Sequence, residues 1–127
     1  MAKLTGSAPI VLVRDVRHAA AYYADKLGFT DCTFYGSPTD FCIARRDNFA
    51  VMLALTNAAN IKPNWQVVKG MWNIYFWVDD ADALYAEFQA SGAIIDYGIG
   101  IKPYGVKEFG IRDLDDHDIA FGQLLPA

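Results

Sequence analysis

The chain repeats one order of secondary structure twice, and this repeat constrains its fold more than any other feature. Gly28 and Gly92, each placed to end a helix, lie 64 positions apart, and Val13 and Val78, each at the end of an apolar strand, lie 65 apart. The period is therefore about half of the 127 residues. Each half has the order strand, helix, three strands, which predicts an α+β fold made of two βαβββ modules in tandem.

Local signals define the predicted elements of both modules. An apolar run at Ile10–Val13 is followed by Asp15, which can cap a helix at Val16–Leu27 that a glycine ends. In the second module an aromatic and β-branched strand at 73–78 precedes a helix at 81–90. The remaining predicted strands lie at 31–35, 41–45, 50–55, 94–97, 108–112 and 118–124.

The whole chain, 1–127, is predicted to form a single domain, with module one at about 8–56, a linker at about 57–70 and module two at about 71–124. A module of about 63 residues would bury its sheet face poorly by itself. We therefore expect the two sheets to form one cupped mixed sheet with an apolar groove, which is a natural place for a small ligand. The short apolar edge strands would need cover, which predicts a homodimer.

Composition narrows the classes of function. Apolar residues make up 54% of the chain, which is enough to fill a core. No uncharged apolar stretch reaches about 18 residues, and residues 1–7 lack the apolar centre of a signal peptide, so a cytoplasmic protein without a membrane partner is predicted. The net charge of −4 argues against nucleic-acid binding through a basic surface and would tolerate or attract a cationic small molecule.

The chain carries no common catalytic or metal-binding motif. Cys32 and Cys42 do not form a CxxC pair, and two buried thiols are expected. The nucleophile elbow, the phosphate-binding loop and the dinucleotide-binding glycine motif are absent. Glu108 and Asp118 could act as acid or base, but a surface or structural carboxylate is favoured for both. His117 is expected at the surface.

Two motifs, in register with the repeat, resemble a known superfamily. Residues 9–16 have the sequence P-I-V-L-V-R-D-V and are followed by Leu27-Gly28-Phe29, and residues 112–121 have the sequence R-D-L-D-D-H-D-I-A-F. These motifs are similar to those of the vicinal oxygen chelate superfamily, which contains glyoxalases, bleomycin resistance proteins and extradiol dioxygenases. The resemblance covers nearly the whole chain and implies the cupped, groove-containing fold of that superfamily.

Within the superfamily the likeness is strongest to the bleomycin resistance proteins. Residues 103–105 and 108–109 resemble their P-W-G-R-E-F segment, and residues 82–87 resemble their D-E-L-Y-A-E helix. The resemblance implies a homodimer that exchanges its N-terminal strands between subunits. It also implies a protein that binds an antibiotic without destroying it and so confers antibiotic resistance.

The chain departs from this pattern at several positions. Leu114 and Asp116 replace the proline and glycine of the last turn, and Tyr104 replaces the tryptophan of P-W-G with a smaller stacking surface. The bleomycin binders have acidic residues after the first L-G-F motif, where this chain has only Asp31 and Asp40 nearby. This last departure argues against a strongly cationic ligand.

The resemblance also implies where a metal ion would be held. Four positions correspond to the ligands of the metal-dependent members, and they carry Ala8, Leu53, Asn73 and Ala120. Only Asn73 could offer an oxygen donor, and shifting any strand by one residue brings no further donor to these positions. The sequence therefore predicts no metal ion and no cofactor, which removes the mechanism of the metal-dependent members.

Strand alternation predicts which side chains line the groove. In the second module Asn73, Tyr75 and Trp77 are expected to point into it, whereas Trp72 packs on the helix. In the first module the expected groove residues are Ile10, Leu12, Val51 and Leu53. The resemblance adds three aromatic positions that would stack on a planar ligand, Phe34, Phe41 and Tyr104. The alternative for these aromatic side chains is an ordinary filled core.

These features favour a non-catalytic protein that binds a small planar aromatic molecule, such as a bleomycin-type antibiotic. Two alternatives stay open. One is an enzyme of the same superfamily, a metal-free or relocated-metal lyase, isomerase or dioxygenase, and the other is a binder of an endogenous metabolite. No catalytic residue is predicted, and the predicted ligand-binding residues are Phe34, Phe41, Asn73, Tyr75, Trp77 and Tyr104.

Overall fold

The computed structural model describes all residues, 1–127. The chain divides into two compact units, Met1–Ile61 and Lys62–Ala127, and each contains one copy of the repeated order of elements. None of the helices has the length and apolar character needed to span a membrane. Both cysteines are free thiols.

The first unit consists of one helix and one four-stranded mixed sheet. Its elements are β1 (Ile10–Val13), α1 (Val16–Leu27), β2 (Asp31–Tyr35), β3 (Phe41–Arg46) and β4 (Phe49–Leu55). The strands lie in the order β1-β4-β3-β2. β1 runs parallel to β4, a pairing that needs a long crossover connection such as the one containing α1, and the other neighbours are antiparallel.

The second unit repeats this topology. Its elements are β5 (Ile74–Trp77), α2 (Ala81–Ser91), β6 (Ile94–Lys102), β7 (Val106–Arg112) and β8 (Asp118–Leu124). The strand order is β5-β8-β7-β6, with β5 parallel to β8. The predicted α+β class and the two βαβββ modules are thus confirmed. β6 is longer than the predicted strand at 94–97, and its register against β7 shifts on both sides of Tyr97.

Both helices begin and end with the same chemistry, which explains why the repeat is visible in the sequence. The carboxylate of Asp15 accepts from the backbone N–H of His18 at 3.0 Å, and that of Asp80 accepts from Ala83 N–H at 3.0 Å. Each helix then ends at a glycine in the left-handed region, with φ of 78° in the first and 85° in the second. A side chain there would be strained, so glycine ends the helix at least cost.

One face of the first sheet is buried under α1, and Leu53 lies on that face. β1 pairs Ile10 with Met52 and Leu12 with Ala54, so Leu53 points to the opposite side, together with Val11. Val11 and Leu53 are buried, whereas Ile10 and Leu12 are exposed. The expectation that Leu53 and its strand neighbour Val51 share a face with Ile10 and Leu12 is therefore wrong. The reason is that the interstrand register, which periodicity within one strand does not give, decides which strands share a face.

The core of the second unit is aromatic. The ring of Phe121 stacks on Phe109 at 5.3 Å between centroids and on Phe76 at 5.6 Å, and Phe88 of α2 meets Phe121 edge-on at 5.1 Å. Phe88 and Phe109 are fully buried. Such pairs each add about 0.5–1.5 kcal/mol beyond burial of their area. They fix the helix-covered face of this sheet, and the opposite face is left to carry other side chains.

Because Asp80 caps α2, Asp80→Ala is expected to lower the free energy of unfolding by about 1 kcal/mol. The matched control is Asp79→Ala, which removes the neighbouring exposed carboxylate that caps nothing. Urea unfolding followed by circular dichroism measures both variants. Equal losses in the two would show that the cap contributes nothing specific.

Candidate functional site

Glu108 on β7 is the buried centre of the uncovered face of the second sheet. Its neighbour Phe109 contacts Phe88 of α2, so Glu108, one residue earlier, points to the opposite side. It is nevertheless only 1% exposed. The sequence favoured either a surface or a structural carboxylate at this position, and the surface alternative is wrong.

Three tyrosine hydroxyls donate hydrogen bonds to the Glu108 carboxylate. Tyr75 and Tyr104 each donate to Oε1 at 2.7 Å, and Tyr97 donates to Oε2 at 2.6 Å. Trp72 extends the network, because its Nε1–H donates to the Tyr97 hydroxyl at 2.8 Å. These donors replace the water that the carboxylate loses on burial, which would otherwise be costly. We refer to these five residues as the Glu108 cluster.

The tyrosines of the cluster remain neutral donors over the physiological range. Burial of the hydroxyl, followed by its hydrogen bond to Glu108, raises the pKa of Tyr104 to about 12. The same two causes, in the same order, raise the pKa values of Tyr75 and Tyr97 further above the ordinary value of 10.0. A phenol that donates to a carboxylate resists ionisation, because its phenolate would face another anion.

Two glycines make room for the tyrosine rings. Gly110 lies opposite Tyr97 across the β6–β7 pair, and a Cβ at this position would overlap the Tyr97 ring. A Cβ on Gly122 would overlap the Tyr75 hydroxyl and lie 2.8 Å from Val106 Cγ1. Since neither glycine has a side chain, both rings can lie flat across the sheet and bring their hydroxyls to Glu108.

A row of rings continues the cluster along β5. The ring centroids of Trp72 and Tyr75 lie 4.9 Å apart at 73°, and those of Tyr75 and Trp77 lie 4.9 Å apart at 54°. Trp77 is 65% exposed and Tyr104 is 55% exposed. The prediction that Trp72 packs on the helix is wrong, because β5 begins only at Ile74 and strand alternation does not extend back to it.

The predicted ligand-binding residues of the second module are only partly brought together. Tyr75 and Tyr104 meet at Glu108, and Trp77 flanks Tyr75. Asn73 is engaged elsewhere, because its Oδ1 accepts from the backbone N–H of Asn64 at 3.0 Å. Its amide oxygen thus holds the segment before β5 in place.

The two predicted residues of the first module lie on opposite faces of their sheet. Phe34 is paired with buried Cys42, and Arg17 of α1 lies over its ring at 4.3 Å. Phe34 is therefore on the helix-covered face. Phe41 is paired with Tyr35, with ring centroids 6.1 Å apart, and both lie on the other face.

Sequence reasoning missed Tyr97 and the central position of Glu108. Tyr97 lies 11 residues before Glu108, and the strand irregularities around it obscure alternation. One signal was present, namely a glycine in the interior of both β7 and β8. A glycine in a strand often marks the close approach of another group, which here is a tyrosine ring.

A family model described as Glyoxalase/Bleomycin resistance protein/Dioxygenase superfamily matches residues 7–121. The chain belongs to this superfamily. The resemblance found in the sequence motifs is thereby confirmed. No curated protein matches this superfamily member.

Several solved structures share the fold of this superfamily member at low identity. The bleomycin-binding protein from bleomycin-producing Streptomyces verticillus, complexed with copper(II)-bleomycin, is 23% identical over 100% of both chains, with a TM-score of 0.70. TnmS3, an antibiotic binding protein from Streptomyces sp. CB03234, is 22% identical over 98% of both chains, also with a TM-score of 0.70. TioX from Micromonospora sp. ML1 is 20% identical over 95% of this chain and 99% of its own, with a TM-score of 0.74.

The positions that correspond to metal ligands elsewhere in the superfamily do not converge on one face of their sheets. Leu53 lies under α1, whereas Ala120 is buried on the uncovered face, where it is paired with Tyr75 and Gly110. No three His, Cys, Asp or Glu side chains are grouped so that they could hold a metal ion. His117, expected at the surface, is 3% exposed, and its backbone N–H donates to Asp113.

Asp118 forms a second buried carboxyl site at the start of β8. It is 4% exposed, and Arg112 bridges it to Asp96, with Nε 3.9 Å from Asp118 Oδ2 and Nη2 3.3 Å from Asp96 Oδ1. The guanidinium of Arg112 lies over the indole ring of Trp65, with Cζ 4.2 Å from the ring centroid. Burial, followed by a hydrogen bond with Asp96 and the charge of Asp96, raises the pKa of Asp118 to about 7, although Arg112 opposes this shift. Asp118 is therefore a buried carboxyl group, and of the two roles favoured for it by the sequence the surface carboxylate is wrong.

The close approach of the Tyr97 ring to Gly110 can be tested by adding a methyl group at this glycine. Gly110→Ala is expected to lower the free energy of unfolding by about 1–3 kcal/mol, because the methyl group displaces the Tyr97 ring. The control is Gly100→Ala on β6, where a Cβ would meet nothing within 4 Å. Chemical denaturation measures both variants. If Gly110→Ala is no more destabilising than Gly100→Ala, the ring does not lie against this glycine.

The raised pKa of Asp118 predicts a pH dependence of stability. The carboxyl has an ordinary pKa of 3.8 and a folded-state pKa of about 7, so the folded protein holds an extra proton between these values. The stability that this proton confers is present below about pH 4 and is lost as the pH rises through about 7. We therefore expect the difference in unfolding free energy between wild type and Asp118→Asn to fall by about 1–3 kcal/mol from pH 4 to pH 8.

Urea titrations at one-unit pH intervals measure this difference. The control is Asp116→Asn, which removes an exposed carboxylate in the same turn and should preserve the wild-type dependence. A difference between wild type and Asp118→Asn that does not change with pH would contradict the protonation of Asp118.

Proposed function

We propose that this protein binds a small planar aromatic molecule on the Glu108 cluster and Trp77, and sequesters it without chemical conversion. One observation carries the proposal. Trp72, Tyr75 and Trp77 form a continuous row of rings on the sheet face that α2 does not cover, and Trp77 at the end of the row is 65% exposed.

The exposed rings provide the binding energy. Large aromatic side chains that remain exposed and contiguous on a protein surface commonly mark an interaction site. A planar ligand stacked against Trp77 and Tyr75 would gain about 0.5–1.5 kcal/mol per ring beyond the area that it buries. Tyr104 lies on the turn between β6 and β7, and its hydroxyl bond to Glu108 holds its ring in place before a ligand arrives.

The same geometry supports binding over catalysis. Glu108 is 1% exposed and three phenols already donate to its two oxygens, so the carboxylate is poorly placed to take a proton from a ligand on the surface rings. The raised pKa values of the three tyrosines make them poor bases near neutral pH. The cluster is built to hold a fixed shape, which is what a receptor requires.

The ligand class that we propose is a bleomycin-type or other antibiotic with planar heteroaromatic rings, so that binding confers resistance. The fold shared with a bleomycin-binding protein and with TnmS3 supports this class. A cytoplasmic homodimer with exchanged N-terminal strands, as the sequence motifs imply, is part of the proposal. Tyr104 is part of the proposed binding face, and the ligand contacts predicted for Phe34, Phe41 and Asn73 stay predictions.

Isothermal titration with metal-free bleomycin tests the proposal. Saturable binding is expected, and the purified protein should protect plasmid DNA from cleavage by iron-activated bleomycin in proportion to its concentration. Trp77→Ala should weaken binding by about tenfold, through loss of a stacking surface worth about 1.4 kcal/mol. The matched control is Phe49→Ala, which removes an exposed ring from the first unit and should leave binding unchanged.

The state of the ligand after binding separates a receptor from an enzyme. Bleomycin recovered from the complex should have its original mass. A product of altered mass would contradict sequestration. The absence of both heat and DNA protection with all bleomycin-class compounds would contradict the proposed ligand class.

A further inference from the structure

We infer that Glu108 gives the proposed binding face, formed by the Glu108 cluster and Trp77, a preference for positive charge. The face would then select planar heteroaromatic cations over neutral or anionic rings of the same size. This inference rests on the proposed function and deepens it by naming the ligand's charge class. It depends on three features of the Glu108 cluster. These are the hydrogen bonds to the carboxylate, the electron density of the tyrosine rings and the cation that already lies over one of them.

The hydrogen-bond pattern is that of an anion without a counterion. Each oxygen of Glu108 accepts from at least one phenol, and an ionised carboxylate is an acceptor only. No lysine, arginine or histidine forms an ion pair with Glu108. The hydroxyls solvate the negative charge, but being neutral they do not cancel it. The charge therefore still acts on anything that approaches the rings above it.

The tyrosine rings carry this charge preference to the surface. A phenol that donates a hydrogen bond to a carboxylate gains electron density, so the negative potential over its ring face increases. Tyr75 and Tyr104 both donate in this way, and Trp77 packs against Tyr75. A cationic or electron-poor ring stacked here is attracted, whereas an anionic ring meets repulsion from Glu108.

The unit already places a cation over one of these rings. Nζ of Lys102 lies 4.9 Å from the centroid of Tyr97, the third phenol bonded to Glu108. This contact shows that the rings of the cluster accept positive charge. Since Lys102 occupies the Tyr97 face, the surface open to a ligand is the one formed by Tyr75, Trp77 and Tyr104.

The small number of acidic residues after the first L-G-F motif argues against a strongly cationic ligand. The buried carboxylate of Glu108 supplies one negative charge near the rings, which is enough to favour a weakly cationic one. It favours a singly charged, delocalised cation that lies flat on the rings, because such a cation loses little hydration on stacking. A compact, multiply charged ligand would need more carboxylates after the first L-G-F motif, where this chain has only Asp31 and Asp40 nearby.

Two planar probes of similar size and opposite charge test the inference. 9-Aminoacridine is a cation at pH 7, and acridine-9-carboxylate is an anion. Isothermal titration of each into the protein at low salt should show at least about tenfold tighter binding of the cation, which corresponds to about 1.4 kcal/mol. High salt should reduce the difference only modestly, because a buried charge is weakly screened.

The decisive variant is Glu108→Gln, which removes the charge and keeps the size of the side chain. It should reduce the preference for the cation to about twofold or less. The matched control is Glu87→Gln, which removes one exposed charge from α2 and should keep the wild-type ratio. Should Glu108→Gln fail to fold, Tyr104→Phe removes one phenol bond from an exposed turn and should lower the ratio by about twofold to threefold.

The outcomes distinguish this inference from the proposed function. Equal affinity of the wild type for both probes, or an unchanged ratio in Glu108→Gln, would overturn the charge selection and leave ligand binding intact. A wild type that binds neither probe nor bleomycin would overturn both.

Discussion

The burial of one carboxylate beneath three phenol hydroxyls governs the second half of this molecule. A buried anion must be solvated by the protein, and Glu108 is solvated by side chains from three different parts of the chain. That requirement accounts for the glycines in β7 and β8 and for the irregular register of β6 around Tyr97. These features are separate in sequence, but they serve the same group of hydrogen bonds.

The two βαβββ units use one backbone plan for different surfaces. Both begin their helix at an aspartate and end it at a left-handed glycine, and both place the first strand parallel to the last. On the face away from its helix, however, the first sheet presents apolar side chains such as Ile10 and Leu12. The second presents a hydrogen-bonded aromatic cluster. Topology is thus conserved between the halves, while the chemistry of the free face has diverged.

The sequence predicted the fold well and the site in part, and the difference has a physical cause. Helix caps, glycine stops and apolar strands are local signals, so the order of elements could be predicted. The face on which Leu53 lies depends on the register between strands, and the position of Tyr97 depends on the irregular pairing of β6 with β7. Neither property can be derived from the residues of a single strand. Trp77 and Tyr75 were found because β5 is short and regular. Glu108 could be named from its motif, but its burial follows from tyrosines that lie 4, 11 and 33 residues away.

The placement of the indole side chains has a consequence for spectroscopy. The three tryptophans of the chain, Trp65, Trp72 and Trp77, all belong to the second unit. Their environments differ, since one covers an arginine, one donates to a phenol and one is open to solvent. Tryptophan emission therefore reports on the second unit through three distinct chromophores. Disorder confined to the first unit would have to be followed through its tyrosines, Tyr22, Tyr23 and Tyr35, through the backbone or through an added label.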